Sequence, residues 1–192
     1  MIHILLAILL MTPPPLGLNW DKKIDASNKL SIQDYRYYTG KITPGPLVYL
    51  GASTLIGMET ELQLFIADGL LTRAILILGP KGLDDENCLQ KFNIHVKLLS
   101  GKYGKPAFKK TETSFLEEEL FYTHECYLYR RELKRKRVFW KTKKFNIETM
   151  LIGDSEGFYI ETVYTNRKVS KLNFEKNRKI IYRKISRKEK KK

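Results

Sequence analysis

The chain has 192 residues, 43% of them apolar, and a formal net charge of +14. That length suits one ordinary domain with tails, and that apolar share excludes a globally disordered chain. The charge is confined: residues 1–100 hold nine basic and nine acidic side chains, residues 101–192 hold 26 and 12, so the second half carries the whole excess and points to an anionic partner surface or a solvated tail rather than to a fold.

Ile4 to Met11 is an apolar run of eight, followed by Thr12 and then Pro13 to Pro15. It is too short to cross a bilayer core, which takes about 20 residues, but has the length of the hydrophobic region of a secretory signal. No Lys or Arg precedes it and no small-x-small cleavage site follows. Residues 1–18 are therefore expected to be a signal peptide or an N-terminal apolar segment. The protein is expected to be exported to a periplasm, a cell surface or the medium. The alternative is a cytoplasmic protein with this run buried as a strand or helix.

Residues 19–46 are polar, with Gly40, Pro44 and Gly45, and predict an extended lead-in with turns. A single α+β domain is expected over 47–168 and a basic tail over 169–192. Leu47 to Leu50 predicts a short strand. Thr60, Leu62, Leu64 and Ile66 then alternate with Glu61, Gln63 and Phe65, Asp68-Gly69 follows, and Leu70 to Leu78 is apolar again. Alternation on both sides of an Asp-Gly pair is a hairpin signature, because the turn needs positive φ.

A helix is expected next, capped by Asp84 or Asp85 and stopped at Gly101 or Gly104. Leu89, Phe92, Val96, Leu99 and Tyr103 recur at steps of three and four on one face, with His95 beside it. Lys109 to Glu119 reads as a polar link. Four strands follow: Leu120 to Arg130, Val138 to Trp140, Phe145 to Leu151 and Phe158 to Thr165. The expected fold is α+β: an antiparallel sheet built of an N-terminal hairpin and a C-terminal meander, with one main helix packed on one face in two layers.

The Asp68-Gly69 hairpin and the helix ending in Lys102 to Pro106 (KYGKP) resemble small exported bacterial α+β domains of hairpin, helix and meander. The resemblance covers residues 47–165. It implies export and assigns no activity.

Three patterns could carry chemistry. Gly153 to Gly157 (GDSEG) has the spacing of a hydrolase nucleophile turn around Ser155, but no histidine follows it and the apolar alternation on both sides predicts a hairpin turn. His124 and Cys126 would share a strand face and, with His95 and Cys88, would make a zinc set of unusual spacing. Cys88 and Cys126 could instead form a disulfide, or remain two buried thiols. No catalytic residue, metal ligand or cofactor is assigned on these grounds.

The strongest functional hint is the basic runs. Arg130 to Lys144 holds nine basic residues and one acid, and Lys171 to Lys192 holds eleven and two. Arg130, Arg131, Lys134, Arg135, Lys136, Arg137, Lys141, Lys143 and Lys144, with Lys179, Arg183, Lys184 and Arg187 in the tail, are the expected anion contacts. Arg130-Arg131 and Lys134 to Arg137 are read as a strand end and loop. Tyr127, Tyr129, Phe139 and Trp140 stand near enough in sequence to stack on bases. The partner classes are anionic lipid, polysaccharide or nucleic acid, and no small-molecule ligand is predicted. The leading expectation is a non-catalytic exported protein whose basic half meets an anionic surface. The alternatives are an intracellular nucleic-acid-binding protein and a hydrolase using Ser155.

Overall fold

The computed structural model of the chain describes residues 15–24, 32, 35–40, 46–51, 55, 58–79, 87–113, 126, 129, 134–154 and 157–169. Within these residues the sheet is antiparallel and contains β1 (Tyr35–Gly40), β2 (Leu47–Gly51), β3 (Thr60–Ala67) and β4 (Leu70–Leu78). After the helix α1 (Cys88–Tyr103) it continues with β5 (Phe108–Thr113), β6 (Lys134–Lys141), β7 (Phe145–Asp154) and β8 (Gly157–Asn166). The spatial order is β1-β2-β3-β4-β8-β7-β6-β5. Each half of the chain is thus a meander. The halves join at the centre, where Leu76 lies opposite Thr162 and Leu78 opposite Ile160.

Period-two alternation decides which side chains form the core. Leu62, Leu64, Leu78, Ile147, Leu151, Phe158 and Ile160 are all buried, and their register aligns them on one face. The β3–β4 hairpin closes on Asp68-Gly69, both at positive φ (52° and 74°), the two-residue geometry that matches strand twist. One extra residue on β4 shifts the register between Phe65 and Ile66. Thr72 steadies that bulge by donating its hydroxyl to the Phe65 carbonyl at 2.9 Å. Gly40 ends β1 at φ 119°, and a Cβ there would collide with the Pro46 carbonyl.

α1 begins at Cys88 with Asn87 before it and no side-chain capping bond. Asp84 and Asp85, the expected caps, lie outside the described residues. Gly104, at φ 82°, ends the helix as expected and returns its N–H to the Ser100 carbonyl at 2.9 Å. The buried face is Cys88, Phe92, His95, Val96 and Leu99, so His95 belongs to the face rather than beside it. Its Nε2 meets Thr162 Oγ1 at 2.7 Å, and Thr162 Oγ1 meets Thr149 Oγ1 at 3.0 Å. From β6, Trp140 Nε1 donates to the Gly104 carbonyl at 3.0 Å.

The expected elements need four corrections. The place beside β6 expected for the 120–130 strand is taken by 108–113, which overlaps the start of the expected polar link. β5 is an edge strand with no buried face, so no alternation marks it. In 120–130 the two described residues, Cys126 and Tyr129, have helical backbone. They are both buried, three apart, a spacing that a helix also brings to one side. Residues 134–137 belong to β6 and not to a loop. Finally, β1 makes a strand within the extended lead-in, and Leu18 and Trp20 belong to the hydrophobic core.

Candidate anion-binding site

The β6–β7 connection is Thr142-Lys143-Lys144, three polar residues that reverse the chain. Thr142 makes the reversal rigid. Its N–H donates to the Phe145 carbonyl at 2.9 Å, and its hydroxyl accepts the Phe145 N–H at 2.9 Å. Arg167, just beyond β8, locks the turn from the other side. Its guanidinium donates to the Thr142 carbonyl at 2.7 Å and its backbone N–H to the Lys144 carbonyl at 2.9 Å. Both lysines are exposed and stand on this pinned turn.

The N-terminal segment crosses the same corner. Ile24 N–H donates to the Gly69 carbonyl at 2.6 Å, tying the segment to the β3–β4 turn. Trp20 is buried edge-on against Phe145, with ring centroids 4.9 Å apart. Asp21 meets Lys144 at 3.2 Å, with both side chains largely exposed, so this pair contributes at most about 1 kcal/mol. Buried Asn166 accepts the Lys168 N–H on its Oδ1 at 3.1 Å, fixing where Lys168 leaves the sheet.

A cavity of about 510 Å³ opens between these parts. Lys143, Lys144 and Lys168 stand around it with Asp21, while Trp20, Leu70, Phe145 and Val169 supply its apolar wall. Lys143 and Lys168 have no acidic partner among the described residues. The corner therefore offers two uncompensated ammonium groups over an apolar hollow.

The other basic residues are distributed by strand alternation. Arg135 and Arg137 share one face of β6 and Lys136 the other, where its Nζ lies 5.9 Å from the Phe92 ring centre. Arg137 is largely neutralised. Glu148 meets it at 2.7 Å and Glu112 at 3.7 Å. Glu112 is also held by Lys110 at 2.9 Å, and that hydrogen bond lowers its carboxyl pKa. Lys134 belongs to β6, and Lys141 is exposed at its end. Arg130, Arg131, Lys179, Arg183, Lys184 and Arg187 lie outside the described residues.

Of the aromatics expected to stack on bases, Tyr129 and Trp140 are buried in the core and are lost to that role. Phe139 remains on the surface side and stacks on Phe108, with centroids 5.1 Å apart and Phe108 49% exposed. Tyr127 lies outside the described residues. The structure brings together Lys143 and Lys144 of the expected contacts, and adds Asp21, Trp20, Arg167 and Lys168. Lys168 follows Arg167 at a strand end, a faint basic signal; nothing local marks Asp21 or Trp20.

The remaining chemical patterns resolve as follows. Cys88 and Cys126 form a disulfide, with Cα atoms 6.2 Å apart, so neither sulfur is a thiolate ligand, and among the described residues no cluster fit for a metal remains. His124 lies outside them. Around Ser155, itself outside them, the flanks are paired strands, with Gly153 opposite Phe158 and Asp154 opposite Gly157. A nucleophile turn instead passes from a strand into a helix. No described helix is long and apolar enough to cross a membrane. No family model, curated protein or solved structure matches this chain.

Proposed function

We propose that this is a non-catalytic exported protein whose basic half contacts an anionic surface or partner, with the corner of Lys143, Lys144 and Lys168 as the centre of that contact. The observation that carries the reading is the rigid Thr142–Lys144 turn. It holds lysines outward without acidic compensation at Lys143, whereas Arg137 is matched by Glu112 and Glu148. Export is supported by the Cys88–Cys126 disulfide, a bond that persists in oxidising compartments. A non-catalytic role fits a buried His95 engaged with Thr162 and a GDSEG run between strands. A position of α1 over the buried sheet face, in two layers, is supported by the bond of its His95 to Thr162 and by that of Trp140 to the capping Gly104.

A second reading has one specific observation in its favour. The Phe108–Phe139 stack at the margin of the sheet offers the aromatic surface of a single-strand nucleic-acid platform. The disulfide weighs against the cytoplasmic setting this reading needs.

The test is retention of the full chain on vesicles containing anionic phospholipid and on single-stranded DNA, across a salt series. The expected result is vesicle binding that falls steeply with salt and drops at least fivefold in K143E/K168E. Binding to DNA alone, lost on Phe108→Ala, would favour the second reading. Binding to neither would overturn both.

A further inference from the structure

The corner is more than a charged surface, because its cations stand over an apolar hollow. The cavity, about 510 Å³, falls in the range of roughly 300–1,000 Å³ typical of small-ligand pockets. A site for a bare inorganic anion would be lined by N–H and hydroxyl donors. Here most of the wall is Phe145, Val169, Leu70 and the buried Trp20, and the one amide side chain in it, Asn166, already accepts the Lys168 N–H. Burial of Phe145 and Val169, both 6% exposed, leaves the wall firm, and their side chains carry no polar atom. The charged groups stand at its margin on exposed side chains.

We infer that this cavity binds an amphiphilic anion, its phosphate or carboxylate held by Lys143, Lys168 and Lys144 and its alkyl or aryl portion lying against Phe145, Val169 and Leu70. The inference rests on the anion-binding reading above and assigns it a ligand class. Two features make the site preorganised, which lowers the entropy lost on binding. Arg167 pins the carbonyls of Thr142 and Lys143, at 2.7 and 3.4 Å, so the lysine-bearing turn is formed before any ligand arrives. Asn166 fixes the backbone at Lys168. Asp21 holds Lys144 at 3.2 Å, and an arriving anion competes with that carboxylate. Lys144 therefore contributes less than Lys143 and Lys168. The same headgroup chemistry belongs to a membrane phospholipid and to a free fatty-chain phosphate or carboxylate.

The experiment is calorimetric titration of the full chain with octyl phosphate below its micelle-forming concentration, beside inorganic phosphate and octanol. Octyl phosphate is expected to bind saturably at one site, at least tenfold more tightly than either half of the molecule. K143E/K168E is expected to weaken it tenfold or more, and Asp21→Asn to tighten it. Lys97→Glu, on the exposed face of α1, leaves it unchanged. Circular dichroism confirms that each variant is folded. Octyl phosphate binding no tighter than inorganic phosphate would overturn the inference, as would affinity unchanged in K143E/K168E. Vesicle binding that octyl phosphate competes away assigns the site to a lipid headgroup. Octyl phosphate binding that leaves vesicle binding untouched assigns it to a free amphiphile. Vesicle binding with no octyl phosphate binding overturns this inference alone, and loss of both overturns the anion-binding reading as well.

Discussion

The β3–β4 and β5–β6 strand pairs are both antiparallel and have opposite fates. β3 and β4 lie inside the sheet between β2 and β8, and β3 buries every second side chain. β5 and β6 form one margin, and β5 exposes five of its six residues. Position in the sheet, rather than pairing itself, decides how strongly a strand constrains its sequence. A central strand must bury one face and so shows alternation. An edge strand can carry Lys109, Lys110 and Glu112, and such charges also discourage unwanted pairing along its open side.

Substitution within the second pair measures the contrast most directly. Trp140, 1% exposed, fills the core from β6 and bonds to Gly104, so Trp140→Ala is expected to cost about 3–5 kcal/mol. Phe108, on the neighbouring strand and half exposed, should lose under about 1 kcal/mol on truncation to Ala. Urea unfolding of both variants checks this, and similar midpoints for the two would break the distinction between core and margin.

The Cys88–Cys126 disulfide joins the helix to a buried position of the second half across 38 residues. Loop entropy gives it a worth of roughly 2–4 kcal/mol. C88S/C126S is expected to unfold at correspondingly lower urea, and reductant should bring the native chain to the same midpoint. A native chain indifferent to reductant would remove this link between the halves from the account.

The third effect is set by pH. Burial lowers the His95 pKa from 6.5 to about 4, so the folded state favours the neutral ring. The unfolded chain takes up a proton below about pH 6.5. Stability is thus full above that value, falls as pH drops, and levels off near pH 4, for a loss of about 3 kcal/mol. Thermal melts from pH 7 to 4 should show this fall, and His95→Gln should flatten it. An equally steep fall in His95→Gln would assign the acid sensitivity to other groups.

Much of the scaffold was legible locally. The Asp68-Gly69 turn, the alternation of β3, β7 and β8, and the stop at Gly104 all follow from short-range rules. β5 was not, because an exposed edge strand shares its composition with a loop. Residues 134–137 read as a loop because four consecutive basic residues hide the alternation that Val138 and Trp140 only begin. Cys126 misled in another way: the alternation of Leu120, Tyr122, His124, Cys126 and Leu128 reads as a strand, yet Cys126 and Tyr129, both buried, have helical backbone, and burial alone does not separate the two.

The site was legible in half. Lys143 and Lys144 stood out as part of a charge run, but so did Arg137, which two glutamates offset. Charge is additive along a sequence, whereas compensation depends on which carboxylate the fold brings within reach. Glu148 reaches Arg137 from the neighbouring strand, and Asp21 reaches Lys144 from 123 residues away.

The sequence by itself determined the chemistry of the pieces: an amphipathic helix, hairpins with their turns, and a positive charge confined to the second half. These depend on neighbours within a few residues, whose spacing the backbone geometry fixes. Tertiary structure alone decided the rest: the union of the two meanders at β4 and β8, the disulfide between Cys88 and Cys126, and a hollow walled by Trp20, Leu70, Phe145 and Val169. Those depend on contacts between residues far apart in the chain, and no local pattern encodes which distant partner a buried face will meet.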